Sequence, residues 1–353
     1  MPRRQLGMLW GMNNQVLDWL LEEENPSVRY FTLRDILDHS ENNRKVKEAK
    51  ASIPESRIIR KILSKQQPVG FWGDPNSPYQ PKYKASYWQV MILGYLGIDM
   101  STPDVRKACE FIFKFQHPEG GFSTETAKTA RIEYDYRKRK GRFLPGIREW
   151  TRKYIYEGQL SCLTGNITAA LIRLGYHDDP RVKKALNWLV KIQNPDGGWL
   201  CPYWRAHIRD THGCFYGTIG PLEAFSLYPK RRWAKGMRMA VEKGVEFMLM
   251  HRLFKADHHR FKIINNSWLS FSFPWFYRYN ILRGLDIVTK LGHGNDHRLN
   301  DAVKILLKKR RKDGRWSLDG TPSGRMYAAI EKRGEPSKWI TLTVLGVLRR
   351  IGV

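Results

Sequence analysis

Two kinds of hydrophobic segment alternate along the chain. In "VRKACEFIFKFQ" the apolar residues Val105, Ala108, Cys109, Ile112 and Phe115 fall at helical spacing, and in "VKKALNWLVKIQ" Val182, Ala185, Leu186, Leu189 and Ile192 do the same. Each pattern predicts an amphipathic helix, and such helices run near 14–22, 55–66, 105–116, 182–193, 239–253 and 299–310. Between them lie stretches that are apolar on most sides, at 28–37, 85–98, 161–176, 214–228, 273–288 and 337–352. A helix that is hydrophobic nearly all round is a buried helix. Six amphipathic helices alternating with six buried ones imply two concentric rings, the outer showing one face to solvent and the inner surrounding a cavity. An open solenoid shares the helix-pair logic; the closed ring is the arrangement favoured.

The helix ends repeat. "QQPVGFW" (66–72), "QHPEGGF" (116–122), "QNPDGGW" (193–199) and "RRKDGRW" (310–316) each place a polar residue, three more, Gly, one more and an aromatic after an amphipathic segment. Gly and Pro stop the helix. The Gln is expected to bond carbonyls left open at that end, and the aromatic to fold back onto the helix. The element resembles the signature of the terpenoid cyclase and protein prenyltransferase superfamily. Two copies match it fully; one has Phe for Trp, and another has Arg310 for Gln. The resemblance implies an all-α, (α/α)6 toroid of six outer and six inner helices, in one domain over residues 1–353.

The repeat spacing locates an insertion. Gln116 to Gln193 spans 77 residues against 50 from Gln66 to Gln116, and the excess falls at 124–158. This segment holds ten Lys/Arg and five acidic residues, interleaved with Tyr134, Tyr136, Phe143, Trp150, Tyr154 and Tyr156. That mixture suits a lid or a surface for a polyanion, with Arg137, Lys138, Arg139 and Lys140 as the contact candidates. An excursion packed by its own aromatics is the plainer alternative.

Charge sharpens the question of partners. The chain carries 61 Lys+Arg against 34 Asp+Glu, a formal charge of +27. Such a surface attracts nucleic acid, a ribonucleoprotein or an anionic membrane face. No apolar run approaches the ~20 residues of a membrane span. The start, "MPRRQLGMLWGMNNQVLDW", lacks the apolar core and cleavage site of a signal peptide. A cytoplasmic protein is expected.

Four cysteines in 353 residues are too few for a disulfide scaffold. Cys109 sits mid-way along an amphipathic helix and reads as core. Cys201 lies just past the "QNPDGGW" turn, His212 and Cys214 stand where the next buried helix begins, and Cys162 opens the buried helix before it. In a ring of helix pairs these four converge at one end, and three thiolates with an imidazole suit tetrahedral Zn²⁺. Asp210 could replace or orient His212. The alternative is three buried free thiols beside a capping His. Four ligands would make the zinc structural, and three would leave a position for water or substrate.

The resemblance bears on this cluster. Protein prenyltransferase catalytic subunits are similar in placing zinc at the toroid mouth through an Asp-x-Cys pair that opens an inner helix. "HGCFYG" occupies the comparable position, with His212 where that Asp would be. The family's further His ligand has no counterpart in "RGEPSKWITLTVLG", and the Asp-x-Asp-Asp motif that initiates carbocation cyclisation is absent. Aromatics on the buried helices (Tyr30, Tyr87, Trp88, Trp275, Tyr279 and Trp339) are candidates to line a cavity for an apolar chain. Two classes follow: a zinc-containing toroid enzyme acting on an isoprenoid or similar apolar, diphosphate-bearing substrate, or a non-catalytic basic toroid binding RNA, DNA or a ribonucleoprotein.

Overall fold

The computed structural model describes residues 14–201, 210–322 and 325–352; the N-terminal stretch read for a signal peptide lies mostly outside them. Fifteen α-helices are present among the described residues, and the β structure is confined to two-residue strands, Lys255–Ala256 and Lys262–Ile263, with a few isolated bridges. In chain order the helices are α1 (Asn14–Leu20), α2 (Pro26–Phe31), α3 (Arg44–Ser52), α4 (Arg57–Leu63), α5 (Ser86–Tyr95), α6 (Pro103–Phe113), α7 (Ala127–Arg139) and α8 (Ile147–Glu157). There follow α9 (Ser161–Arg173), α10 (Pro180–Lys191), α11 (Phe215–Leu227), α12 (Lys235–Met250), α13 (Ile281–Lys290), α14 (Asn300–Lys308) and α15 (Lys338–Ile351). The alternation is the one expected. α5 is buried along its entire length, and α11 is buried from Phe215 to Phe225 apart from Tyr216, whereas α6 and α10 bury one face.

Two compact units are distinguished, one of residues 1–62, 96–98 and 246–353, the other of 63–95 and 99–245. In the second unit, α9 packs against α5, α10 and α11. In the first, α13 packs against α14 and α15, and α2 against α3.

The repeated turn is a two-way clamp. Gln116 Nε2 donates to the Gly120 carbonyl of its own turn at 2.9 Å and to the Arg181 carbonyl of α10 at 2.8 Å. Gln193 does the same to Gly197 and to Ala240 of α12, both at 2.8 Å, and Gln66 reaches Asp104 of α6 at 3.0 Å. The expectation that the Gln bonds its own helix end is thereby corrected: it ties the turn to the next amphipathic helix. The turn glycine makes this close approach affordable, since Gly120 has φ +116° and a Cβ there would lie 2.4 Å from the Lys184 carbonyl. The aromatic folds back as expected, with Trp199 Nε1 donating to the Leu189 carbonyl and Trp316 Nε1 to that of Leu306, each at 2.8 Å.

A third tie reaches the following buried helix. The backbone N–H groups of Trp72, Phe122, Trp199 and Trp316 donate to the hydroxyls of Ser86, Thr164, Thr218 and Thr341 at 2.9–3.0 Å. Trp72, Trp199 and Trp316 are fully buried, and truncating such a side chain costs about 3–5 kcal/mol.

A fourth recurring device opens two amphipathic helices. Asp179 and Asp296 each accept from the N–H two residues on, and Arg181 and Arg298 fork back onto Glu110 and Glu246 of the preceding amphipathic helices at 2.7–3.0 Å. Sequence reading passed over both Arg residues.

The helix expected at 273–288 begins only at Ile281. Pro274 cannot donate to a helix ladder, and Asn280 caps α13 by accepting from Arg283 N–H at 2.9 Å. The preceding loop is held by fully buried Arg283, which donates to the carbonyls of Phe276 and Arg278 at 2.9 and 2.7 Å. The insertion is a helical hairpin of α7 and α8. Its own centre is Trp150, whose Nε1 donates to the Ala130 carbonyl at 2.9 Å, with Tyr154 stacked at 5.6 Å and Arg137 above the ring at 5.1 Å.

Candidate functional site

Three of the four cysteines lie at the helix starts of the second unit, and two of them, Cys162 and Cys201, are in contact. α9 and α11 cross where a Cβ on Gly165 would lie 2.3 Å from the Gly220 carbonyl carbon and the Pro221 nitrogen. Only glycine allows that approach, and it brings the starts of the two helices together. Cys214 is the N-cap of α11, its Sγ accepting from Gly217 N–H at 3.1 Å.

The "QNPDGGW" turn is stapled to the same place. Asp196 accepts from Gly198 N–H at 3.0 Å and from Gly213 N–H at 2.6 Å, while Cys214 N–H donates to the Trp199 carbonyl at 3.0 Å. Cys201, two residues beyond Trp199, therefore arrives at the first turn of α9. Its Sγ lies 3.7 Å from both Cys162 Sγ and Ser161 Oγ, and the residue is 3 % exposed.

The two sulfurs are unequal. Hydrogen bonding to Cys201, with burial, holds the Cys162 thiol well above the ordinary thiol range. Cys201 is drawn below that range by hydrogen bonds from the Cys162 side chain, the Ser161 hydroxyl and the N–H groups at the α9 start. Of the two sulfurs, Cys201 is therefore the one whose surroundings favour negative charge. Cys214 is pushed up to about 11, chiefly by burial, with the charge of Cys201 adding to it.

His212 is placed apart from this pair in its bonding. Its Nδ1 lies 3.0 Å from the Gly213 carbonyl and 3.7 Å from the Asp196 carboxylate, with about half the side chain exposed at 51 %. Asp210 is exposed, though its charge reaches Cys214. Among the described residues no group of three or more His, Cys, Asp or Glu side chains is arranged as a metal cage. Cys109 is core, fully buried, as its helical position implied.

The aromatic candidates divide by what their polar ends do. Tyr87 Oη donates to the Ser123 carbonyl at 3.2 Å, Trp88 Nε1 to Tyr79 at 2.7 Å and Tyr279 Oη to Leu253 at 2.6 Å. Tyr30 bonds Glu41 at 2.9 Å, and burial pushes its hydroxyl up to about 12. These four brace the structure. Trp339, at the start of α15, differs: it stacks on Phe273 at 4.7 Å and meets Phe31 edge-on at 6.0 Å, while Phe273 meets Trp275 at 5.6 Å. The buried indole N–H of Trp339 has no hydrogen-bond acceptor among the described residues.

The basic candidates divide as well. Arg137 pairs with Glu133 at 2.6 Å over the Trp150 ring and is half-buried, whereas Lys138, Arg139 and Lys140 are exposed.

Comparison with known proteins adds the family. Residues 11–140 match the prenyltransferase alpha-alpha toroid domain. The squalene–hopene cyclase of Zymomonas mobilis is 23 % identical over 233 residues, covering 58 % of this chain and 30 % of the relative. That of Bradyrhizobium diazoefficiens is 32 % identical over 112 residues, covering 31 % of this chain and 12 % of the relative. The chain thus spans less than a third of the length of these curated relatives. The apo type II terpene cyclase MstE from Scytonema superposes with a TM-score of 0.43 at 16 % identity, covering 93 % of this chain and 87 % of that one. The repeated helix-end turns, the domain match over residues 11–140 and the cyclase similarity together make the terpenoid cyclase-like α/α-toroid superfamily the one this chain resembles.

Proposed function

We propose that the chain handles an isoprenoid or similarly apolar substrate, as a toroid of cyclase or prenyltransferase type, and that Cys162, Cys201 and Cys214 hold one Zn²⁺ at the helix starts. For the metal the carrying observation is the 3.7 Å separation of Cys162 and Cys201 sulfurs. Two thiolates on a tetrahedral zinc at ~2.3 Å each stand ~3.8 Å apart, so the pair is spaced as one edge of such a site. The N–H groups directed at Cys201 and Cys214 stabilise the thiolate form that zinc requires. His212 or Asp210 would complete the set by a side-chain rotation. Bound there with three protein ligands, zinc would supply a Lewis acid and an open position.

Support for an apolar substrate comes from the superfamily, from relatives named as squalene–hopene cyclases, and from the Phe31–Phe273–Trp275–Trp339 group. The unanswered Trp339 N–H would donate a hydrogen bond to a substrate oxygen or π system, while the rings receive the hydrocarbon. The test has two arms. Elemental analysis of purified protein should find one zinc per chain, lost in Cys162→Ser, Cys201→Ser and Cys214→Ser and kept in Cys109→Ser. Geranylgeranyl diphosphate should quench tryptophan fluorescence saturably, and Trp339→Ala should weaken it about tenfold, as expected for loss of ~1.4 kcal/mol of ring contact. Metal-free protein that is fully stable ends the zinc reading, and absence of saturable quenching ends the isoprenoid one.

A further inference from the structure

The hairpin inserted at 124–158 carries a surface that the proposed chemistry does not use. Phe143, in the α7–α8 connection, is fully exposed at 101 %, and Ile132 and Tyr136 on the outward side of α7 are 59 % and 50 % exposed. Around them stand Lys138, Arg139, Lys140 and Arg142, all exposed. None of these four cations forms an ion pair among the described residues, whereas the nearby carboxylates do: Glu133 pairs with Arg137 at 2.6 Å and Asp135 with Arg131 at 2.9 Å. Ile132, Asp135, Lys138 and Arg139 line an open recess of about 360 Å³. The hairpin does not need these side chains to fold, because its core is Trp150 with Tyr134 and Tyr154.

We propose that this hairpin end docks the protein on an anionic phospholipid surface. Phe143 and Ile132 would enter the headgroup–acyl boundary, and the four cations would meet lipid phosphates. Two features select lipid over nucleic acid. One apolar side chain, Ile132, is aliphatic and cannot stack on a base, and Tyr136, one of the two exposed aromatics of this hairpin, has the Lys140 ammonium 6.0 Å from its ring centroid. A single amphipathic patch of this size gives reversible binding, strengthened by anionic lipid. The net charge of +27 adds attraction of the same sign. The inference stands apart from the zinc and isoprenoid readings, since it rests on residues that touch neither site.

The experiment is co-sedimentation of the full chain with vesicles of phosphatidylcholine alone and of phosphatidylcholine mixed with phosphatidylglycerol. Binding is expected to the mixed vesicles only, falling as salt rises. Each cation removed should lower partitioning about fivefold, as expected from ~1 kcal/mol per basic residue near such a surface. Changing all four to Gln should therefore abolish binding. Phe143→Ser should lower partitioning about tenfold or more while leaving its salt dependence unchanged. Arg152→Gln with Lys153→Gln, on α8, removes two charges from outside the patch and should bind like the parent. Far-UV circular dichroism and Trp150-sensitive fluorescence check that each hairpin variant is folded. Unchanged sedimentation of Phe143→Ser, or equal loss in the α8 control, overturns the proposal. So does single-stranded RNA that binds the hairpin end and displaces the vesicles.

Discussion

Replacing Thr341 by Val tests the tie between a repeat turn and the buried helix that follows it. The exchange puts a methyl where a hydroxyl was, at nearly the same volume, in a residue with no exposure. What it removes is the acceptor of the Trp316 backbone N–H, which donates to Thr341 Oγ1 at 3.0 Å while Trp316 itself is fully buried. A buried donor left without a partner costs about 1–3 kcal/mol. Burying a methyl in place of a hydroxyl returns up to ~1 kcal/mol, so the net destabilisation is about 1–2 kcal/mol. Thr343→Val is the internal control on the same helix. Its hydroxyl bonds back to the Trp339 carbonyl at 2.8 Å from a half-buried position, and its loss should stay within ~0.5 kcal/mol. Urea unfolding, followed in parallel by tryptophan fluorescence and far-UV circular dichroism, gives both values at constant slope. If Thr341→Val matches the parent within ~0.5 kcal/mol, or Thr343→Val costs as much, the turn-to-helix bond is not a stabilising element. The same reasoning would then fail for Thr164 and Thr218.

Two further outcomes follow from the ion pairs. Asp296 is held at about 2 by its hydrogen bond from Arg298, below the ~3.9 of an unfolded aspartate; its contribution is therefore present above about pH 4 and lost as pH falls toward about 2. Arg298→Leu should flatten stability across that window, and an unchanged acid limb in pH-dependent denaturation would dismiss the pair. Glu223 is 2 % exposed on α11 and paired with Arg173 of α9, whose guanidinium also lies 4.6 Å over the Tyr95 ring. Arg173→Met should cost about 3–5 kcal/mol, with much of it recovered by adding Glu223→Gln; a single variant as stable as the parent would refute this.

Local periodicity carried the architecture. A 3.6-residue period and Gly-stopped helix ends are short-range properties, so the amphipathic and buried helices, the repeated turns and the core place of Cys109 were all legible from neighbouring residues. The approach of Cys201 to Cys162 was legible too, once helix starts were assigned to one end. Tertiary structure decided the rest. The Gln residues bond carbonyls of the next amphipathic helix, such as Arg181 and Ala240, and a backbone acceptor far along the chain leaves no mark in side-chain pattern. Arg283 sustains a loop where hydrophobicity alone predicted a helix at 273–280, because apolar runs do not distinguish a buried helix from a buried loop held by a guanidinium. The 3.7 Å sulfur spacing depends on how closely Gly165 meets Gly220 and Pro221. Sequence names the residues able to make that approach; only the packing of two helices sets its distance.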